Sequence, residues 1–299
     1  MSAGEQKTQV AFLYAAIVLI WGSTWAVIPY QLGDVAEELS IAYRFALGSV
    51  VLFIYAAATG RRLRIPLAYY PMIVITGSLM FSLNYLFTYL AVNYVTSGLV
   101  AVVFSLLVIS NAFFERLFFR TPVDRRLMFG SLFGIIGIAC LFWPEVETLS
   151  LQDRSFWGVL LTVTAVILAS LGNMGAIVNN SRNLPVVTVN AHGMAWGALM
   201  SVVIASFRGQ EFVFPMTAEY VVSLLYLAIV GSSLVFGFYL VLLRSIGSAR
   251  AAYTSVLFPL VALLLSTFLE NYQWSYLAVA GVVSILTGNW LALTKIRRK

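Results

Sequence analysis

Between Arg64 and Glu115 the chain carries no Asp, Glu, Lys or Arg. A run of that length cannot form the surface of a soluble domain, and it exceeds the roughly 20 apolar residues that one membrane-spanning helix needs. It therefore predicts two spans, with the polar stretch Asn93-Tyr94-Val95-Thr96-Ser97-Gly98 as their hairpin. The rest of the chain is similar: 10% of its residues are charged and 61% hydrophobic, against roughly 25% charged in soluble domains. Charge-free gaps and internal turn residues predict ten spans, over residues 9–30, 38–59, 68–90, 96–114, 127–143, 156–177, 186–207, 219–242, 249–269 and 275–294. The connections are short, so function must come from the helices. The first span is too long for a signal peptide and lacks a small-x-small cleavage site, so it is expected to be retained.

Lys and Arg collect in cytoplasmic loops, which tests the span count. With the N-terminus inside, fifteen of the 18 basic residues fall on the cytoplasmic side: Lys7, Arg61, Arg62, Arg64, Arg116, Arg120, Arg125, Arg126, Arg182, Arg244, Arg250, Lys295, Arg297, Arg298 and Lys299. Arg154 and Arg208 fall outside and Arg44 within a span. The outer loops instead collect Asp34, Glu37, Glu38, Glu145, Glu147, Asp153, Glu211, Glu219 and Glu270. An odd span count would scramble this division, so both termini are expected to be cytoplasmic. The net charge of +6 follows from the same bias. The expected partners are therefore the lipid bilayer and a small molecule, not nucleic acid.

One Cys and one His leave no disulfide framework, thiolate metal cluster or multi-histidine site within the chain. No metal or cofactor is expected, and an intramembrane enzyme would lack a nucleophile with its base or a metal set. No Asp or Glu falls in the middle of any predicted span. Such carboxylates are the usual proton carriers of coupled transporters, so facilitated movement is expected.

Matches recur in order at a shift near half the chain. Gly22 meets Gly172; Ala42, Ala46, Gly48 and Gly60 meet Ala191, Ala195, Gly197 and Gly209; Gly77-Ser78 and Tyr85-Leu86 meet Gly231-Ser232 and Tyr239-Leu240. Glu115 meets Glu270, and Gly130 and Gly137 meet Gly281 and Gly288. The series predicts a duplication of five spans, over 1–146 and 147–299. Five is odd, so the second half enters the membrane from the opposite side. The expected architecture is an all-α membrane protein of two inverted five-helix repeats. Such repeats enclose a site near the midplane and open it to either side by rocking, which argues for alternating-access transport. A passive channel is the competing class, distinguished by flux that does not saturate.

Polar side chains inside spans are costly unless paired or facing a cavity, which makes them the site candidates. In the third span Asn84 and Thr88 lie one turn apart, as do Tyr85 and Tyr89. They could present an amide and hydroxyl to a substrate's ammonium or carboxylate beside stacking rings; the competing reading is helix-to-helix bonding. Trp21, Ser23 and Thr24 lie at or beyond the middle of the first span, where Trp21 suits a pocket wall and Trp25 an interfacial anchor. Asn173, between Gly172 and Gly175, is a buried amide. Tyr239, Tyr253, Thr254 and Ser255 complete a ring if the repeat symmetry holds. Pro259 removes a backbone bond in mid-span and frees a carbonyl near position 255, as a hinge or as structure only. Arg44 is expected to snorkel outward towards Glu37 or Glu38, with a gate as the alternative. His192 is expected near the outer end of its span, in contact with solvent. A neutral, polar and aromatic cavity suits a zwitterion with an apolar side chain better than a phosphate ester.

Trp21-Gly22-Ser23, Arg44-Phe45, Tyr89-Leu90-Ala91 through Thr96-Ser97-Gly98, Phe114-Glu115-Arg116-Leu117, Phe258-Pro259-Leu260 and Leu269-Glu270 together resemble the drug/metabolite transporter superfamily, EamA type, over nearly the whole chain. Within it the chain most resembles the YddG-type exporters of aromatic and other amino acids. The resemblance implies ten helices around a central cavity lined mainly by the first, third, fourth, sixth, eighth and ninth spans, alternating access, and a bacterial inner-membrane location. It also leaves transport of another small metabolite or drug-like compound open, and it does not give the oligomeric state. The first repeat has no proline matching Pro259, so a hinge there need not be duplicated.

Overall fold

A computed structural model describes residues 3–95, 100, 103–141, 143, 154–182, 184–269 and 274–293. Among them every regular element is helical. The helices are α1 (Ala3–Val27), extended by a tight turn Ile28–Gln31, α2 (Glu37–Ala58), α3 (Leu67–Val92), α4 (Leu107–Phe119) and α5 (Arg125–Leu141). They continue with α6 (Arg154–Ser181), α7 (Val186–Phe207), α8 (Ala218–Ile246), a short helix Ser248–Ala252, α9 (Thr254–Leu269) and α10 (Tyr276–Leu293). Six stretches, Thr8–Gln31, α2, α3, α6, α7 and α8, are long and apolar enough to cross a membrane. Outward faces carry large apolar side chains such as Phe207, Tyr276 and Trp290, which suits lipid contact. The expected hairpin residues Thr96-Ser97-Gly98, the boundary at 146/147, Glu145, Glu147, Asp153, Glu270 and residues 295–299 lie outside the described residues.

Three helices run past the ends expected from charge. α4 continues through Glu115 and Arg116 because the Glu115 carboxylate accepts from Ser248 N at 2.9 Å and from the Ser248 hydroxyl, while Arg116 reaches the Arg120 carbonyl. α6 continues to Ser181 because Asn179 donates to Thr76 Oγ1 and Asn180 to the Leu240 carbonyl. α8 keeps Arg244 in its last turn, where a cation meets the negative end of the helix dipole.

α5 packs along α10 and α2 along α7, the two most extensive helix pairings. α1 packs on α8 and α9, as α6 packs on α3 and α4; α2 packs on α8, as α7 packs on α3. Exchanging each helix for the one five places along leaves this pattern unchanged. The local geometry repeats as well. Gly60 and Gly209 end α2 and α7 with φ of +65° and +67°, and in both the next residue donates back to the helix, Arg61 N to Ala56 O and Gln210 N to Ala205 O. That is the left-handed cap only glycine adopts cheaply. Leu79–Leu83 in α3 and Ile229–Leu234 in α8 are both π turns, a feature that leaves backbone carbonyls open to other partners.

The close pairings depend on missing side chains. A Cβ at Gly130 would stand 2.5 Å from the Gly288 carbonyl oxygen, one at Gly288 2.4 Å from that of Gly130, and one at Gly77 2.3 Å from that of Gly193. At one end of the bundle Glu38 pairs with Arg208, and Glu37 accepts from Asn93 at 2.8 Å. At the other, Asp124 pairs with Arg250 beside the Glu115–Ser248 contact. His192 belongs to this second end, not to the outer end expected: Nε2 lies 3.0 Å from the Leu63 carbonyl and Nδ1 3.3 Å from Tyr70 OH. It is half-buried there because α7 begins beside the arginine-rich loop after α2.

Candidate functional site

A cavity at mid-bundle is walled by α1, α3, α6, α8 and α9 together with Phe104 and Leu107 at the start of α4. About 90 Å³ of it admits the centre of a water-sized sphere, several times the roughly 10–15 Å³ that one water needs. Trp21 is the centre of its aromatic side. The indole lies 4.9 Å from the Phe236 ring, 5.1 Å from Tyr239 and 5.7 Å from Phe258, and Nε1 donates to the Gly231 carbonyl at 3.3 Å. That carbonyl lies in the π turn of α8, so the turn positions the ring. Trp25, expected as an interfacial anchor, also lines the cavity.

The polar side is built from groups largely committed to the backbone. Thr24 donates to the Trp21 carbonyl, Thr88 to Asn84, Thr254 to Ala251 and Ser255 to Ala252, each at 2.7 or 2.8 Å. Such back-bonding leaves hydroxyl lone pairs towards the cavity without an unpaired donor. Asn84 donates to the Met80 carbonyl. Asn173 donates to Asn111 Oδ1 at 3.3 Å, and Asn111 donates to the Ser248 carbonyl at 3.2 Å.

Of the residues proposed from sequence, Trp21, Thr24, Asn84, Tyr85, Thr88, Asn173, Tyr239, Thr254 and Ser255 meet at this cavity. Ser23 does not line it; its hydroxyl lies 2.6 Å from Tyr226 OH and ties α1 to α8. Tyr253 donates to the Gly130 carbonyl at 2.6 Å, inside the α5–α9–α10 packing. Tyr89 is fully buried behind the wall. Pro259 lies inside α9 next to the cavity-lining Phe258, and the helical break falls earlier, at Tyr253.

Arg44 does not snorkel. It is 1% exposed, and Nε donates to Ser232 Oγ at 2.8 Å, Nη2 to the Gly231 carbonyl at 3.0 Å and Nη1 to Tyr89 OH at 3.3 Å. Its Cζ stands 4.7 Å from the centroid of the Tyr85 ring, whose residue lines the cavity. Glu38 and Glu37 are engaged by Arg208 and Asn93. The π turn of α8 supplies two of the three acceptors that solvent was expected to provide, and a guanidinium with no carboxylate partner among the described residues stands one ring behind the cavity wall.

The sequence profile of the EamA-like transporter family matches this chain twice, over residues 9–143 and 156–294. The chain belongs to the EamA-like transporter family, within the drug/metabolite transporter superfamily. It is 25% identical to the "Probable amino-acid metabolite efflux pump" of Salmonella typhimurium, over 94% of this chain and 93% of the relative. It is 25% identical to the "Uncharacterized inner membrane transporter YedA" of Escherichia coli, over 92% and 90%. A crystal structure superimposes with a TM-score of 0.79 over 96% of both chains at 17% identity, which shows a shared fold.

In this EamA-like transporter the sequence reading overlooked Asn111, Phe236, Phe258 and Phe104. Asn111 sits in the apolar run Val108-Ile109-Ser110-Asn111-Ala112 and is fully buried; a lone amide at membrane depth was the signal that could have found it. The three phenylalanines carry no such signal, because Phe in a span reads equally as lipid-facing.

Proposed function

We propose that this transporter exports neutral amino acids, aromatic ones among them, in the manner of the YddG-type exporters, by facilitated alternating access. Ten spans form two inverted halves, 1–146 and 147–299, with both termini in the cytoplasm of a bacterial cell and the bundle in its inner membrane. The exchange-invariant packing, the paired π turns and the double match of the family profile support the repeat. The charge division of the loops supports the orientation. The Salmonella relative's name supports amino-acid efflux, and the E. coli relative's name supports the inner membrane.

One observation carries the substrate reading. The cavity is lined by rings and neutral hydroxyl and amide groups, with no carboxylate among the described residues that line it and the Arg44 guanidinium directly behind Tyr85. Rings bury an apolar side chain, neutral dipoles tolerate a zwitterion, and a nearby buried cation favours its carboxylate end. Without a proton-carrying carboxylate, the gradient of the substrate itself drives movement. In this scheme Trp21, Thr24, Asn84, Tyr85, Thr88, Asn173, Tyr239 and Ser255 face substrate, Ser23, Tyr89 and Tyr253 brace that wall, and Arg44 and Pro259 serve gating and bending.

Proteoliposomes preloaded with unlabelled phenylalanine test this. Saturable counterflow of labelled phenylalanine that is unchanged when the proton gradient is collapsed, and that falls by roughly tenfold or more in Trp21→Ala, is the expected result. Non-saturating flux would point to a channel, and strict dependence on a proton gradient would remove the facilitated mechanism.

A further inference from the structure

Two polar atoms in the cavity wall are buried without a hydrogen-bond partner: Asn173 Oδ1 and the Tyr239 hydroxyl. Their residues are 2% and 3% exposed. The Tyr239 hydroxyl lies beside the side-chain amides of Asn173 and Asn111. An amide can in general be turned end for end, but here its direction is dictated. The Ser248 carbonyl can only accept, so Asn111 must turn Nδ2 towards it, at 3.2 Å. That leaves Asn111 Oδ1 as the acceptor facing Asn173, which must then turn Nδ2 to it, at 3.3 Å. Ser248 is itself held by Glu115, which accepts from its backbone N and its hydroxyl. The consequence is that the carbonyl oxygen of Asn173, not its NH2, is the end of this cavity-lining amide left without a partner.

We propose that Asn173 Oδ1 is the binding point for a substrate's ammonium group, and that Asn111 is the positioning residue that makes it so. The inference rests on the amino-acid reading above and adds which end of the substrate meets which wall. A buried carbonyl without a partner favours a ligand that donates a hydrogen bond, and a charged donor most of all. Among basic side chains Arg44 is already committed to α8 and Tyr89, so no guanidinium competes from that side. The indole of Trp21, 5.1 Å from the Tyr239 ring, adds a π face near a bound cation. A ligand lacking the amine leaves this buried carbonyl unpaired, and sites built this way reject such analogues strongly.

The test is calorimetric binding to the purified full-length protein in detergent, using L-phenylalanine, phenethylamine, which lacks the carboxylate, and 3-phenylpropionate, which lacks the amine. The wild-type protein is expected to bind phenylalanine at least roughly tenfold more tightly than 3-phenylpropionate. Asn111→Leu removes the constraint on Asn173, and that ratio is expected to fall to within about threefold. Asn111→Asp, in its protonated form, can still accept from Asn173 and donate to Ser248, and is expected to restore the ratio. Both variants are first required to run as single species on gel filtration. Equal binding of phenylalanine and 3-phenylpropionate by the wild-type protein, or a ratio unchanged in Asn111→Leu, overturns the ammonium site alone. Failure of all three compounds to bind overturns the amino-acid reading and this site with it.

Discussion

Arg44 holds a full charge away from water and, among the described residues, from any carboxylate, a state that membranes permit only when hydrogen bonds replace hydration. Three acceptors do so here: a hydroxyl and a carbonyl from the π turn of α8, and a tyrosine of α3. The planar fork of guanidinium donors reaches both helices at once, whereas an ammonium is a compact point charge on a flexible stem. Arg44→Lys therefore keeps the charge behind Tyr85 but loses at least one bond between α2 and its neighbours. A hydrogen bond to a charged group contributes about 1.5–3 kcal/mol, so counterflow is expected to fall by roughly tenfold or more. Proteoliposome assays check this against variant protein that still elutes as a single species. Transport at the wild-type rate would mean that only the charge matters, not its anchoring.

Helix packing follows the same logic on a larger scale, since lipid provides no hydrophobic drive between helices and close contact must come from small residues. Gly130 and Gly288 each sit where a Cβ would strike the other's carbonyl oxygen. Gly288→Ala is expected to force α5 and α10 apart at about 1–3 kcal/mol of overpacking, seen as a fall of several degrees in the melting temperature of detergent-solubilised protein; Gly237→Ala, where a Cβ meets nothing within 4 Å, is the matched control. Much at this level was legible in the sequence. A bilayer imposes an apolar composition along the whole length of a span, so the runs that became α2 and α7 could be bounded to within a residue or so. The extensions of α4 and α6 were not legible, because they depend on Ser248, Thr76 and Leu240, far along the chain. Periodicity likewise grouped Tyr85 with Tyr89, and the repeat grouped Tyr253 with Ser255, but neither can say which neighbour a face meets. Tyr89 therefore went to Arg44, and Tyr253 to Gly130. Arg44 departs from the sequence expectation because two of its three acceptors are brought to it only by the π turn of α8.

At the scale of the whole molecule, the cavity draws walls from both matched segments of the chain, so movement of one against the other changes access to it. Any such movement must break contacts at one end of the bundle. The Asp124–Arg250 pair joins the segment before α5 to the short helix before α9, and the Glu115–Ser248 contact reinforces it close by. Together they tie the two segments to each other at that end. If transport requires this end to open, fixing the contact covalently must stop the cycle without touching the cavity. Asp124→Cys with Arg250→Cys, in a background where the native Cys140 is replaced by Ala, places a thiol on each side of the pair. Oxidation is expected to abolish counterflow, by at least roughly tenfold, and reduction to restore it, while phenylalanine binding to the oxidised protein persists. Full counterflow through the oxidised, demonstrably cross-linked protein would mean that the two segments do not separate at this end. The cavity would then communicate with that side by another route, and rocking of the two halves about the α2–α7 and α5–α10 contacts would have to be given up.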